Sequence, residues 1–189
     1  MNVAFVTYDG MTALDFVGGY DAITRLDRMG FHELSWDVCS PAQTVETNAL
    51  RLDVDRVRPN LGAYDLVYVP GGAATRQLTS NEEMVGWVAG AAEAELVASV
   101  CTGSLLLGAA GLLEGRRATT HPTAREFLAE YATVTDQRIV HDGDVITAAG
   151  VATSIDLGLY LVEELAGAET RRAIAKQMDY PYGPYGAEQ

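Results

Sequence analysis

Short apolar runs and longer segments of helical periodicity alternate along this chain in the order that a doubly wound α/β sheet requires. Val3-Ala4-Phe5-Val6 reads as a buried strand stopped by the turn pair Asp9-Gly10, and Ala13 to Met29 reads as a helix closed by Gly30. A second strand, Leu34 to Cys39, halts at Ser40-Pro41, and weaker extended stretches at Thr44 to Thr47 and Leu50 to Val54 predict a hairpin or an edge. Tyr64 to Val69 is the third core strand and runs straight into Pro70-Gly71-Gly72, after which a helix spans Asn81 to Ala92. Glu95 to Val100 is the fourth core strand, and it passes without a linker through Cys101 into a helix over Thr102 to Ala110.

Farther on, Ala124 to Glu130 predicts a short helix, Arg138 to His141 and Asp144 to Thr147 flank the turn Asp142-Gly143 as a hairpin, and Ser154 to Leu165 and Glu169 to Met178 predict two final helices. The tail Tyr180-Pro181-Tyr182-Gly183-Pro184-Tyr185-Gly186 cannot be helical; it packs on the body, helps a subunit contact or simply frays. With no internal repeat or linker, residues 1–189 are expected to form a single domain. The expected fold class is α/β, a mostly parallel, doubly wound sheet flanked by helices.

Charge narrows the partners. Asp and Glu number 26 against 13 Lys and Arg, giving −13, and Lys176 is the one lysine. Such a surface repels phosphate backbones and anionic lipid, so neither nucleic acid nor membrane is an expected partner. The composition fits a salt-loving host or a GC-rich genome equally well. No apolar stretch approaches the roughly 20 residues of a membrane span, and MNVAFVTYDG lacks the features of a signal peptide, so a cytoplasmic location is expected. Cys39 and Cys101 lie far apart outside any CxxC or Cys/His cluster, which predicts free thiols and no metal site. There is no P-loop, no GxGxxG after the first strand and no HExxH, so no cofactor is expected.

The chemistry points to Cys101. A strand passing directly into a helix forces a tight turn, as in a nucleophile elbow, and the helix behind it should stabilise a thiolate and depress the cysteine pKa. Gly71 and Gly72 end a neighbouring strand on the same side of the sheet, and their amides, with that of Thr102, predict an oxyanion-type pocket. Each feature has a plainer reading: a small buried cysteine and an ordinary strand-ending turn. Asp15, near the start of a helix, suits the positive end of the helix dipole. Cys39 is expected to pack, His32 and His141 to be surface residues, and Thr153 and Asp156 to serve a helix start.

Five motifs carry a family resemblance: Leu14-Asp15-Phe16-Val17-Gly18; Val69-Pro70-Gly71-Gly72; Ser99-Val100-Cys101-Thr102-Gly103; Gly111 to His121; and Thr147 to Asp156. On these the chain resembles the ThiJ/PfpI superfamily, part of the class I glutamine amidotransferase-like, flavodoxin-like fold, and within it the isonitrile hydratase branch. The resemblance implies Cys101 as nucleophile, Asp15 as the acidic residue beside it and Thr102 as the residue after it, where PfpI-type peptidases usually have histidine. It places Gly18, Gly150 and His121 at substrate-binding positions and implies a homodimer, which the apolar helices and aromatic tail also predict. Pro122 stands where relatives often have Trp, and Gly19 where the pattern commonly has Pro, which implies a different pocket wall.

Asp15 and Cys101 held together in a poorly solvated pocket should share one proton, because two adjacent negative charges are unfavourable. An isonitrile needs that combination: protonation and nucleophilic attack at its terminal carbon, then hydrolysis of the thioimidate to an N-substituted formamide. The same thiol could instead attack small oxoaldehydes, as glyoxalase-like relatives do, or act as an oxidation sensor. Similar domains form the sensor half of AraC-type regulators, but with no helix-turn-helix among residues 1–189 and a charge of −13, a DNA-binding regulator is not expected.

Overall fold

Strands buried on both faces read as continuous hydrophobic runs, and such runs form the centre of this sheet. The computed structural model describes residues 1–47 and 50–181. In chain order the strands are β1 (Asn2–Val6), β2 (Ser35–Ser40), β3 (Thr44–Thr47), β4 (Leu50–Asp53), β5 (Arg56–Val57), β6 (Leu66–Val69), β7 (Leu96–Val100), β8 (Arg117–Ala118), β9 (Thr133–Val134), β10 (Ile139–Asp142) and β11 (Val145–Ala148). Seven of them form one sheet in the order β10-β11-β7-β6-β1-β2-β5. Every pairing is parallel except β10 with β11, which closes the edge as the expected hairpin. β3 and β4 pair antiparallel outside that sheet.

The helices are α1 (Ala13–Arg28), α2 (Thr75–Leu78), α3 (Glu82–Ala89), α4 (Gly103–Ala109), α5 (Arg125–Leu128) and α6 (Thr153–Gln177). The chain leaves β1 toward β2 on one side and later returns to β6 on the other. Right-handed crossovers therefore place α1 on one face and α3 and α4 on the opposite face. This flavodoxin-like order confirms the expected α/β doubly wound class. α1 packs along α6, burying Ala22 and Leu26 against Leu159 and Val162. Each large aliphatic side chain so buried contributes roughly 1.5–3 kcal/mol.

The two final helices are as expected: within the span α6 the non-helical residue Gly167, at φ 84°, separates them. Two boundaries differ from the sequence expectation. An unexpected short helix, α2, follows the Pro-Gly-Gly turn, and the helix expected from Asn81 begins at Glu82, with the Asn81 side chain capping Met84 N–H at 2.9 Å. Of the aromatic tail, Tyr180 donates its hydroxyl to Asp156 at 2.6 Å. Residues 182–189 lie outside the described residues, and the expectation for the tail falls mostly on them.

Candidate active site

In an open parallel sheet the crevice forms beyond the carboxyl ends of strands where the winding reverses. Here the reversal lies between β1 and β6, and three chain segments converge there: the start of α1 after β1, the Pro70-Gly71-Gly72 turn after β6, and the elbow after β7. Cys101 occupies the elbow with φ 57°, a left-handed conformation that costs a residue with a Cβ roughly 1–2 kcal/mol. Surrounding bonds hold it in place. Its N–H donates to the Ala148 and Ala149 carbonyls at 3.0 and 2.7 Å, and its own carbonyl accepts from the Thr120 hydroxyl at 2.9 Å and the Ser104 hydroxyl at 3.3 Å.

Asp15 reaches this elbow from α1. Its side chain does not cap its own helix: Oδ2 accepts from the Gly71 N–H at 3.1 Å, and the residue is fully buried. Oδ1 has no well-formed hydrogen bond, although the Cys101 thiol lies close enough for the two groups to perturb each other. Burial pushes the Asp15 carboxyl up to about 7, against the pull of hydrogen bonding from Cys101 and Gly71. Burial, followed by the charge of Asp15, pushes the Cys101 thiol up to about 12, and the Thr102 amide and hydroxyl oppose this only in part. Both groups are raised, so through the neutral range the pair holds one proton between them.

The expected depressed thiol pKa is therefore corrected. Only seven residues of α4 stand behind Cys101, which is 5% exposed, so its short dipole acts against desolvation and a carboxylate together. The Gly71 and Gly72 amides are also not free oxyanion donors. Gly71 N–H is taken by Asp15, and Gly72 N–H donates to Thr102 Oγ1 at 2.9 Å, while that hydroxyl donates back to the Gly72 carbonyl at 3.1 Å. Thr102 thus clasps the β6 turn to the elbow, and its hydroxyl proton is used there rather than on a substrate. Gly71 is required by close approach, since a Cβ there would stand 2.8 Å from Thr102 Oγ1 and 2.9 Å from Cys101 Cβ.

A cavity of about 200 Å³ opens above the elbow, lined by Cys101, Thr102, Gly72, Thr12, Ala73, Arg76, His121, Thr123 and Val151. His121 stands at its rim with Nδ1 accepting from the Thr123 N–H at 3.3 Å, and a Cβ on Gly150 would touch the His121 ring at 3.4 Å. Gly18 lies elsewhere: a Cβ there would stand 2.8 Å from Ser154 Cβ, so it serves the crossing of α1 and α6 and not the pocket. Gly19 is pressed against the Tyr68 ring, where no side chain fits.

Three comparisons bear on this geometry. Residues 1–164 match the family model described as the DJ-1/PfpI family. The chain belongs to the DJ-1/PfpI family. An isonitrile hydratase of Pseudomonas putida is 34% identical over 97% of this chain and 80% of that protein. Protein DJ-1alpha of Drosophila melanogaster is 30% identical over 97% and 86%. The crystal structure of a ThiJ/PfpI family protein from Pseudomonas syringae superposes with a TM-score of 0.86 at 31% identity, covering 97% of this chain and 76% of that one.

Within this DJ-1/PfpI chain several features have little signal in the sequence. Thr120, fully buried, steadies the strained Cys101 carbonyl. Arg76 reaches the cavity from α2, a helix too short to show periodicity. Tyr8 donates to the Pro70 carbonyl at 2.6 Å, bracing the turn from beneath, and burial with the charges of Asp15 and Cys101 raises its own pKa. Cys39 behaves as expected: it is buried beside the Tyr64 hydroxyl and pushed up to about 11, chiefly by burial. Asp156 is a buried structural anchor that accepts from Arg138 Nε at 2.9 Å as well as from Tyr180. His141 is not a bare surface residue, since its Nδ1 lies 2.9 Å from the Tyr160 hydroxyl. Among the described residues no helix is long and apolar enough to cross a membrane.

Proposed function

We propose that this protein hydrates small isonitriles to N-substituted formamides, using Cys101 as nucleophile and Asp15 as proton carrier. The observation that carries the reading is the buried carboxylate of Asp15 coupled to a protonated thiol at the floor of a cavity. The isonitrile hydratase relative supports it.

As the sulfur forms its bond to the terminal isonitrile carbon, Asp15 accepts the thiol proton and delivers it to that same carbon, giving a thioimidate, R–N=CH–S. Water then adds to the carbon while the nitrogen takes up a proton. The C–S bond breaks, the hydroxyl proton returns to the sulfur through Asp15, and R–NH–CHO leaves. Nothing is oxidised, and each proton is accounted for. Thr102 and Gly72 act by holding the turn and the elbow in register, and His121 and Gly150 shape the rim.

The reading is tested by assaying small isonitriles with the wild type, Cys101→Ala and Asp15→Asn. Turnover abolished by Cys101→Ala and lowered roughly 10²- to 10⁴-fold by Asp15→Asn is expected. Hydration that survives Cys101→Ala overturns it, and turnover of an oxoaldehyde without any isonitrile turnover selects the glyoxalase-like alternative. A thiol held near pKa 12 suits peroxide sensing poorly, because thiolate is the oxidised species. The proposal includes a homodimer, for which the groove lined by Phe16, Val17, Tyr20 and Leu52 beside exposed Leu14 offers an apolar face. Light scattering at twice 20.2 kDa checks it.

A further inference from the structure

The rim of the cavity carries a cation that the chemistry above does not use. Arg76 lines the same cavity as Cys101 and His121. Its guanidinium lies over the Phe127 ring, 5.2 Å from the centroid, and Nη2 donates to the Thr123 carbonyl at 3.4 Å. Among the described residues no carboxylate comes within ion-pair distance of it, whereas Arg58 pairs with Glu83 and Arg116 with Asp144. Arg51, Arg125 and Arg172 share this lack of an acid partner among the described ion pairs, but of the four only Arg76 lines the cavity. Guanidinium has five N–H donors, and Thr123 takes one of them. Stacking on Phe127 restrains the group while leaving donors for an anion.

His121 adds to this rim. Because Nδ1 accepts the Thr123 N–H, the neutral ring carries its proton on Nε2, a second donor at the opening. Asp15, coupled to the Cys101 thiol, is fully buried and is not among the residues lining the opening. At about 200 Å³ the space is below the roughly 300–1,000 Å³ of sites for drug-sized ligands, so anion and reacting carbon must be separated by a short spacer.

We propose that the cavity selects small electrophiles bearing a carboxylate, which Arg76 binds while Cys101 meets the electrophilic carbon. This rests on Cys101 being the nucleophile and assigns the substrate class of that site: in the hydratase reading, an isonitrile with a short acidic arm such as isocyanoacetate. A guanidinium–carboxylate contact at a partly exposed rim should contribute roughly 10- to 100-fold in rate.

The test uses two alkylating agents of the same reaction and size, anionic iodoacetate and neutral iodoacetamide, on the full chain. In both, the sulfur bonds to the methylene carbon, iodide leaves and the thiol proton passes to Asp15 or water. Modification of the Cys101 peptide is followed by mass spectrometry in the wild type, Arg76→Lys and Arg76→Gln. Arg76→Gln should slow iodoacetate roughly 10- to 100-fold relative to iodoacetamide. Arg76→Lys should keep part of the preference, and an unchanged iodoacetamide rate shows that the fold is intact. If the two reagents slow by the same factor, or neither changes, the anion site is wrong. Hydration of isocyanoacetate and of its methyl ester separates this from the proposed function. An iodoacetate-to-iodoacetamide ratio that Arg76→Gln leaves unchanged, with both isonitriles still hydrated, rejects the anion site alone. No hydration of either isonitrile, with an alkylation preference that Arg76→Gln removes, rejects the hydratase reading and leaves the anion site standing.

Discussion

Replacing Asp15 by Asn should make the protein more stable at neutral and alkaline pH while lowering its activity roughly 10²- to 10⁴-fold. In the folded protein the carboxyl is pushed from 3.8 up to about 7, chiefly by burial. A group whose folded pKa is raised contributes its stability fully below the unfolded value and loses it as pH rises through the folded value. The loss therefore begins near 3.8 and is complete somewhat above 7, with each pH unit worth about 1.4 kcal/mol. That sets an upper bound of about 4 kcal/mol, and local relaxation around the charge lowers the expected figure to about 2–4 kcal/mol. Asn keeps the acceptor for Gly71 N–H and does not titrate. The assay is urea unfolding of both proteins from about pH 4 to about pH 8, and the difference should shift toward the variant by about 2–4 kcal/mol, or roughly 5–15 °C in Tm. A pH-independent difference, or a wild type that gains on the variant as pH rises, would refute the claim that Asp15 is buried without full compensation.

The pH dependence of kcat/KM for an isonitrile should rise to a plateau with an apparent pKa near 7, because Asp15 must be ionised and Cys101 protonated; a profile falling through that range contradicts the relay. Gly71→Ala should cost about 1–3 kcal/mol and nearly all activity by forcing the β6 turn off the elbow, whereas Gly18→Ala should lower stability through the α1–α6 contact and leave KM unchanged. Steady-state kinetics beside urea melts distinguish the two. Cys101→Gly should be about 1 kcal/mol more stable than Cys101→Ala, since glycine tolerates φ 57° without a clash, and equal melts would show that the elbow is not strained.

The centre of the fold was legible in the sequence because β1, β6 and β7 are unbroken apolar runs that end at turns or directly at the elbow. β5, β8 and β9 are two residues each and α2 four, too short for any period to register, whereas α5 falls inside the helix expected over Ala124 to Glu130. The site was legible as a set of positions: Asp15, Gly71, Thr102 and Cys101 do converge. Their electrostatics were not, because the direction of the Cys101 pKa depends on how deeply the thiol is buried and on a carboxylate that arrives from α1. Gly18 was misplaced for a related reason, its neighbour Ser154 being on α6 at the far end of the chain. Arg76 stands in an unremarkable stretch, Ala73-Ala74-Thr75-Arg76, and only the folded position of α2 brings it to the cavity.

The account depends on Asp15 losing its proton before Cys101 does, so that the thiol attacks while handing its hydrogen to the carboxylate. Ultraviolet titration of thiolate absorbance tests this directly, with Cys101→Ala as the reference that subtracts Cys39 and the tyrosines. The wild type should show no Cys101 thiolate through about pH 9, and Asp15→Asn should bring its onset down by a unit or more. A wild-type thiolate step in the acidic range would contradict the assignment of the charge.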